Sequence, residues 1–135
     1  MILTDAGPLV ALIDRGEADH ARCVAALAEV TPPLVTTWPA FAEAMYLLGD
    51  AAGWSGQEPL WRMIERGELQ LAEVSAAMLA RMPALMEKYR DLPMDLADAA
   101  LVALAEERGL SRIFSLDRDF RVYRLPRGRS FAVIP

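Results

Sequence analysis

The residues of this 135-residue chain best suited to chemistry are four acids in widely separated segments. Asp5 closes the apolar run Met1-Ile2-Leu3-Thr4-Asp5, and Asp117 closes Ile113-Phe114-Ser115-Leu116. Glu43 lies one turn into a helix that follows Leu34-Val35-Thr36-Thr37, and Asp98 falls in the first turn of a long apolar helix. Each stands near the carboxyl end of an expected strand or the start of an expected helix, the edge at which open α/β sheets bind ligands. Carboxylates gathered in one pocket repel each other at neutral pH unless a cation sits among them. An oxygen-only donor set suits Mg²⁺ or Mn²⁺. Two such ions about 4 Å apart can supply both the attacking hydroxide and the charge relief that phosphodiester hydrolysis needs.

Other hydrolytic schemes lack their parts. The one histidine, His20, has no second imidazole and is expected at the surface in the polar opening of a helix, which excludes zinc held by Cys and His. There is no G-x-S-x-G, P-loop or H-E-x-x-H. A phosphatase or receiver domain pairs a nucleophilic Asp with a downstream Lys, and the only lysine, Lys88, sits in a helical stretch far from any strand end.

Each acid also has a plainer structural reading. Asp5 can cap the following helix, yet a charge directly after a buried strand asks for a stronger reason. Glu43 sits among Phe41, Ala42, Ala44 and Met45, where a buried carboxylate is costly without a cation, so it is expected to be buried and functional. Asp95 and Asp98 share a helix face at i, i+3, the outer as N-cap and the inner as ligand. Asp119 follows Asp117 by two and is an auxiliary acid. A hydroxyl beside a strand-end acid can orient a carboxylate or a metal-bound water; Ser115 is open between that role and an ordinary strand residue, and Thr4 reads as the latter.

The elements that must position these groups alternate. Strands are expected at 1–4, 34–37, 69–72, 112–116 and 131–134. Helices are expected at 8–14, 18–30, 39–51, 57–67, 75–89, 95–109 and, briefly, 117–122. Such alternation predicts a parallel sheet of four to five strands covered by helices, in one domain over residues 1–135. Gly7 is expected to turn the backbone sharply beside Asp5, and Pro8 and Pro39 to open helices. Gly109 is expected to stop the helix from Asp95. Within that helix Leu96, Ala99, Ala100, Ala103 and Leu104 form one stripe, and Asp98, Val102 and Ala105 its neighbour.

Net charge is −5, unevenly spread. Residues 112–135 hold six Arg against Asp117 and Asp119, a local +4, while residues 1–111 sum to −9. A positive rim around an acidic, metal-filled pocket suits a polyanion, and the same arginine run equally suits a solvated tail or a partner-docking surface. No apolar run reaches the roughly 20 residues of a membrane span. Asp5 and Pro8 break any signal-peptide pattern, so a cytoplasmic location is expected. The single Cys23 has no disulfide partner and is expected to be a buried thiol.

Four segments in order carry a resemblance to the PIN-domain ribonucleases, and more narrowly to VapC-like toxins. They are Thr4-Asp5-Ala6-Gly7-Pro8-Leu9, Ala42-Glu43, Met94-Asp95-Leu96-Ala97-Asp98-Ala99 and Ser115-Leu116-Asp117-Arg118-Asp119-Phe120. The resemblance spans nearly the whole chain. It implies a three-layer α/β/α fold and metal-dependent endoribonuclease activity with Mg²⁺ or Mn²⁺. It also implies a homodimer and a cognate antitoxin that covers the site. On that pattern Asp5, Glu43, Asp98 and Asp117 match the family's acidic quartet, and Ser115 stands where the family commonly has Thr or Ser. Arg118, Arg121 and Arg124 become the expected RNA contacts. Residues 38–67, with Trp38, Met45, Tyr46, Leu47, Leu48, Trp54, Leu60 and Trp61, become the antitoxin groove and part of the dimer surface, with plain core the alternative for the stripe and the expectation for some of it. A non-cleaving scaffold that binds RNA or a protein is the competing expectation.

Overall fold

A computed structural model describes residues 1–135. Five parallel strands form the central sheet in the order β3-β2-β1-β4-β7. These are β1 (Ile2–Thr4), β2 (Leu34–Thr37), β3 (Leu69–Ala72), β4 (Arg112–Phe114) and β7 (Ala132–Ile134). Side chains alternate across the sheet with the period of two that a pleated strand imposes. Ile2, Leu34, Leu69 and Phe114 point to one core, and Leu3, Val35, Ala72 and Ile113 to the other. Both faces are therefore apolar, and helices cover both, giving three α/β/α layers.

The first core is closed by α1 (Ala6–Ile13), α2 (His20–Ala28), α3 (Trp38–Ala52) and α4 (Trp54–Glu65). The second is closed by α5 (Ala76–Lys88) and α6 (Leu96–Arg108). The α3 and α4 pair packs closely enough to require Gly56, where an added Cβ would lie 2.6 Å from the Leu48 carbonyl oxygen. No helix is long and apolar enough to cross a membrane.

Several expectations need correction. Gly7 makes no turn, because it lies inside α1, which starts at Ala6. Instead of two stripes, α6 is buried on all sides from Ala97 to Ala105, since α5, α3 and β2 all pack against it, while Leu96 is exposed. His20 is half-buried, with Nδ1 2.7 Å from the Ala11 carbonyl oxygen, tying α2 to α1. Gly109 does end α6 in the left-handed conformation, at φ 66°. Cys23 is buried and unpaired.

The expected short helix near 117–122 is a 3₁₀ turn, Arg118–Arg121. Between it and β7 lies a hairpin that the sequence pattern did not reveal, β5 (Arg124–Leu125) paired antiparallel with β6 (Arg129–Ser130). Two-residue strands are too short to show alternation, although Pro126 and Gly128 mark the turn between them.

Candidate active site

The sheet reverses its winding beside β1. β2 and β3 extend to one side of β1, and the chain then returns to lay β4 on the other. The crevice at such a reversal opens past the carboxyl ends of the strands. Asp5 follows β1 and Ser115 follows β4, and the Asp5 backbone N–H donates to the Phe114 carbonyl at 2.9 Å.

Asp5, Asp98 and Asp117 converge there, each with a carboxylate oxygen within 4.8 Å of the others. Asp5 and Asp98 are buried, and Asp117 is exposed. Together with Glu43 and Asp95 they line a cleft of about 280 Å³. A larger cavity of about 420 Å³, bordered by Ala25, Ala26, Val30 and Ile134, lies elsewhere and gathers no acids but Glu29. The smaller cleft is the candidate site, because it alone concentrates carboxylates at the strand ends.

Each carboxylate has a local scaffold. Asp5 Oδ1 accepts from the Ala6 N–H at 2.8 Å, so Asp5 does cap α1, and Oδ2 accepts from Ser115 Oγ at 3.0 Å. Ser115 Oγ in turn accepts from the Asp117 N–H at 3.0 Å, and Asp117 Oδ1 accepts from the Asp119 N–H at 2.9 Å. One hydroxyl thus links two of the three converging acids. Asp95 is the N-cap of α6, its Oδ1 accepting from the Asp98 N–H at 2.8 Å. This fixes the first turn that carries Asp98.

Tyr123, which the sequence pattern did not single out, completes the set. Its hydroxyl donates to Asp98 Oδ2 at 2.6 Å. Its ring is fully buried, edge-on to Phe120 and Tyr89. The available signal was a tyrosine in the run Phe120-Arg121-Val122-Tyr123-Arg124-Leu125, where apolar residues are interspersed with arginines; its O–H must find a partner when buried.

No Lys or Arg forms a salt bridge with Asp5, Glu43, Asp98 or Asp117. Burial therefore acts almost unopposed. It pushes the Asp5 carboxyl up to about 6 despite the hydrogen bonds from Ala6 and Ser115. It pushes Asp98 up to about 8, against the Tyr123 hydrogen bond and with the charges of Asp95, Asp5 and Asp117 adding to the rise. Partial desolvation raises Glu43, reinforced by Asp95 and Asp117. Asp119 rises for the same kind of reason, desolvation first and then the charges of Asp117 and Asp95.

Glu43 departs from its expectation. It lines the cleft but is exposed, because the buried stripe of α3 runs through Ala40, Phe41, Ala44 and Leu48. It also stands outside the close group of three acids. The expected RNA contacts differ among themselves. Arg118 and Arg121 are exposed on the 3₁₀ turn. Arg124 Nη1 donates to the carbonyls of Arg121, Val122 and Tyr123 at 2.7, 3.0 and 3.0 Å, so part of that guanidinium is already engaged. Of the apolar group on α3 and α4, Leu48 and Leu60 are core, while Trp38, Tyr46, Leu47, Trp54 and Trp61 are exposed.

The donor chemistry fits a hard divalent ion. All the ligand atoms are oxygens, two of the acids are desolvated, and no protein cation neutralises them. Ionising Asp5 and Asp98 together without a cation is unfavourable.

A three-layer α/β/α fold with a converging acidic cluster at its strand reversal defines a class, and the PIN-domain family model matches residues 2–125; the chain belongs to that family. Among curated proteins it is similar to Ribonuclease VapC26 of Mycobacterium tuberculosis, strain ATCC 25618 / H37Rv. The two are 31% identical over 135 residues, covering 99% of this chain and all of the relative. Among solved structures it is similar to VapC20 of M. tuberculosis, described as a sarcin-ricin loop cleaving toxin. That match has a TM-score of 0.83 at 18% identity, over 90% of this chain and 94% of that one. It also resembles a chain of a toxin–antitoxin complex from Klebsiella pneumoniae, with a TM-score of 0.71 at 18% identity over 100% of this chain and 97% of that one.

Proposed function

We propose that this protein is a divalent-metal-dependent endoribonuclease and the toxin of a toxin–antitoxin pair. The observation that carries the reading is the convergence of Asp5, Asp98 and Asp117 with no protein cation among them. The PIN-family match and the VapC relatives support RNA as the substrate.

Asp5, Asp98 and Asp117 would hold Mg²⁺ or Mn²⁺, with Glu43 at the rim. When bound, such an ion supplies charge relief on the phosphoryl oxygens and makes water a usable nucleophile near neutral pH. The chain's own residues do the positioning. Ser115 and Ala6 fix both oxygens of Asp5, and Tyr123 fixes one oxygen of Asp98. Glu43, exposed and with its proton affinity raised, orients the attacking water and accepts its proton. Asp95 and Asp119 are auxiliary. They set the α6 and 3₁₀ turn geometry and add negative charge. Arg118, Arg121 and the free part of Arg124 contact phosphates. Phe120 and Tyr123 are fully buried, so neither stacks on a base.

The exposed Trp38, Tyr46, Leu47, Trp54 and Trp61 on α3 and α4 supply an apolar surface for the antitoxin and for a second copy of the chain. Residues 1–135 act as one domain, in the cytoplasm where both RNA and antitoxin reside.

The test is cleavage of structured and single-stranded RNA with Mg²⁺, Mn²⁺ or EDTA, beside Asp5→Asn. Cleavage that needs metal and is lost in the variant supports the reading. Absence of both metal binding and cleavage in the purified, antitoxin-free protein defeats it and leaves the non-cleaving scaffold.

A further inference from the structure

Outside the acidic site, the most concentrated positive charge lies in a cleft of about 380 Å³ between α5 and the β5–β6 hairpin. Arg81 and Lys88 reach it from α5, seven residues apart and so on one helix face. Arg124 and Arg127 reach it from the hairpin, and Glu106 of α6 is its only acid. Glu106 is already matched by Arg81 through a two-pronged pair, Nε to Oε2 at 2.8 Å and Nη2 to Oε1 at 3.2 Å. Lys88, Arg124 and Arg127 have no salt-bridge partner. In a chain of net charge −5, three unmatched cations lining one cleft call for an anion.

Two of these cations have distinctive local settings, Arg124 in its side chain and Arg127 in its backbone. The three carbonyl contacts at Arg124 Nη1 pin its guanidinium while leaving Nε and Nη2 without protein partners. Much of the ordering cost of a guanidinium–phosphate contact is therefore met before binding. Arg127 sits at φ 65°, ψ 23°, and it is the only non-glycine residue with positive φ. A side chain in that conformation carries a steric strain that glycine would avoid. The hairpin keeps a cation at a position where backbone geometry alone favours glycine.

The cleft and the acidic site are joined by consecutive residues of the chain, although no residue lines both. Tyr123 donates to Asp98, and the next residue, Arg124, lines the cleft and donates its N–H to the Tyr89 hydroxyl at 3.0 Å. The cleft offers ammonium and guanidinium donors, its lining holds no aromatic residue, and the nearby Tyr89 ring lies under Lys88 Nζ, 5.2 Å from its centroid, so it suits phosphates rather than bases.

We infer that Lys88, Arg124 and Arg127 hold backbone phosphates of the RNA beyond the bond being cut, guiding the strand from the acidic site between α5 and the hairpin. This rests on the nuclease reading above. It predicts an affinity that is sensitive to salt and nearly indifferent to sequence.

The test uses the full-length protein with Ca²⁺ in place of Mg²⁺ and a fluorescein-labelled single-stranded RNA 12-mer. Affinity is measured by anisotropy at several salt concentrations. The variant is Lys88→Gln/Arg127→Gly, and its charge-matched control is Arg15→Gln/Arg66→Gln, whose exposed arginines lie outside the cleft. Arg127→Gly relieves the backbone, so a thermal midpoint at or above wild type shows that any loss is not unfolding. Each lost phosphate contact on a single strand lowers the log–log salt slope by about 0.7, or about 1.4 for two. From 50 to 200 mM salt, wild type should therefore lose about sevenfold more affinity than the cleft variant. The control should retain the wild-type slope.

Equal slopes in wild type and cleft variant, with metal-dependent cleavage intact, overturn the cleft and leave the nuclease standing. Equal losses in variant and control overturn it too, because the effect then belongs to overall charge. RNA binding unchanged while an oligoglutamate peptide loses affinity makes the cleft a protein-docking site instead. A wild type that neither cuts nor binds RNA removes both readings.

Discussion

Replacing Asp5 by Asn should stabilise the metal-free protein while abolishing its activity. The carboxyl of Asp5 is raised from 3.8 to about 6, chiefly by burial. Below pH 3.8 it is protonated in both folded and unfolded chains and contributes no difference. Between 3.8 and about 6 the folded chain keeps a proton that the unfolded chain has released, so stability falls as pH rises. Above about 6 the full cost is present, about 3 kcal/mol at 1.36 kcal/mol per pH unit. Asparagine keeps the oxygen that accepts from the Ala6 N–H and offers an N–H to Ser115 Oγ in place of the carboxylate oxygen. It also removes one of the charges that raise Asp98. For a domain of this size, 3 kcal/mol corresponds to about 10 °C in the unfolding midpoint. The assay is thermal unfolding by circular dichroism in EDTA from pH 4 to pH 8.5, repeated with Mn²⁺. The variant should gain most at pH 8, show no advantage near pH 4, and respond less to Mn²⁺ than wild type. An advantage that does not vary with pH, or a variant less stable than wild type at pH 8 in EDTA, would refute the claim that an uncompensated buried charge is stored at this site.

Two further substitutions probe the supports of the site, and a third the packing of α3 on α4. Tyr123→Phe keeps the buried ring but deletes the donor to Asp98. A hydrogen bond to a charged group is worth about 1.5–3 kcal/mol, so cleavage at saturating metal should fall about tenfold or more, seen in kcat rather than KM. Ser115→Ala cuts the link between Asp5 and Asp117. Calorimetric titration should show weaker Mn²⁺ binding, with a stability loss of about 1 kcal/mol in urea unfolding. Gly56→Ala forces a Cβ against the Leu48 carbonyl between α3 and α4. It should lower stability by about 1–3 kcal/mol by the same urea assay and leave the metal affinity of the isolated protein unchanged.

The parts of the fold that showed in the sequence were those with a long or clean period. All five strands of the sheet were legible, because each is an apolar run bounded by polar or turn residues. The six helices were legible within a few residues at their ends, with α1 beginning at Ala6 ahead of Pro8 and α4 at Trp54 ahead of the expected 57. The hairpin at Arg124–Ser130 was not, because its order comes from packing against α6 rather than from its own pattern. Of the expected acids, Asp5, Asp98 and Asp117 meet because strand ends and a helix start are fixed by topology, which sequence order can convey. The exposure of Glu43 depends on a rotation of α3 of less than one residue's arc, which periodicity does not resolve. Tyr123 escaped notice for another reason. Its partner Asp98 is 25 residues away, and nothing local to a tyrosine says which carboxylate it will meet.

The bond from Ser115 to Asp5 spans 110 positions of chain. During synthesis, therefore, Asp5 emerges early with the Ala6 N–H beside it, but its Ser115 partner is absent until the last quarter of the polypeptide is made. Contacts this distant in sequence form late and slowly. A growing or truncated chain that stops before Asp117 has one wall of the cleft missing, however well its earlier helices fold. If the site cuts RNA, the ribosome translating it is shielded from the product until translation is nearly over, by the order of the strands alone.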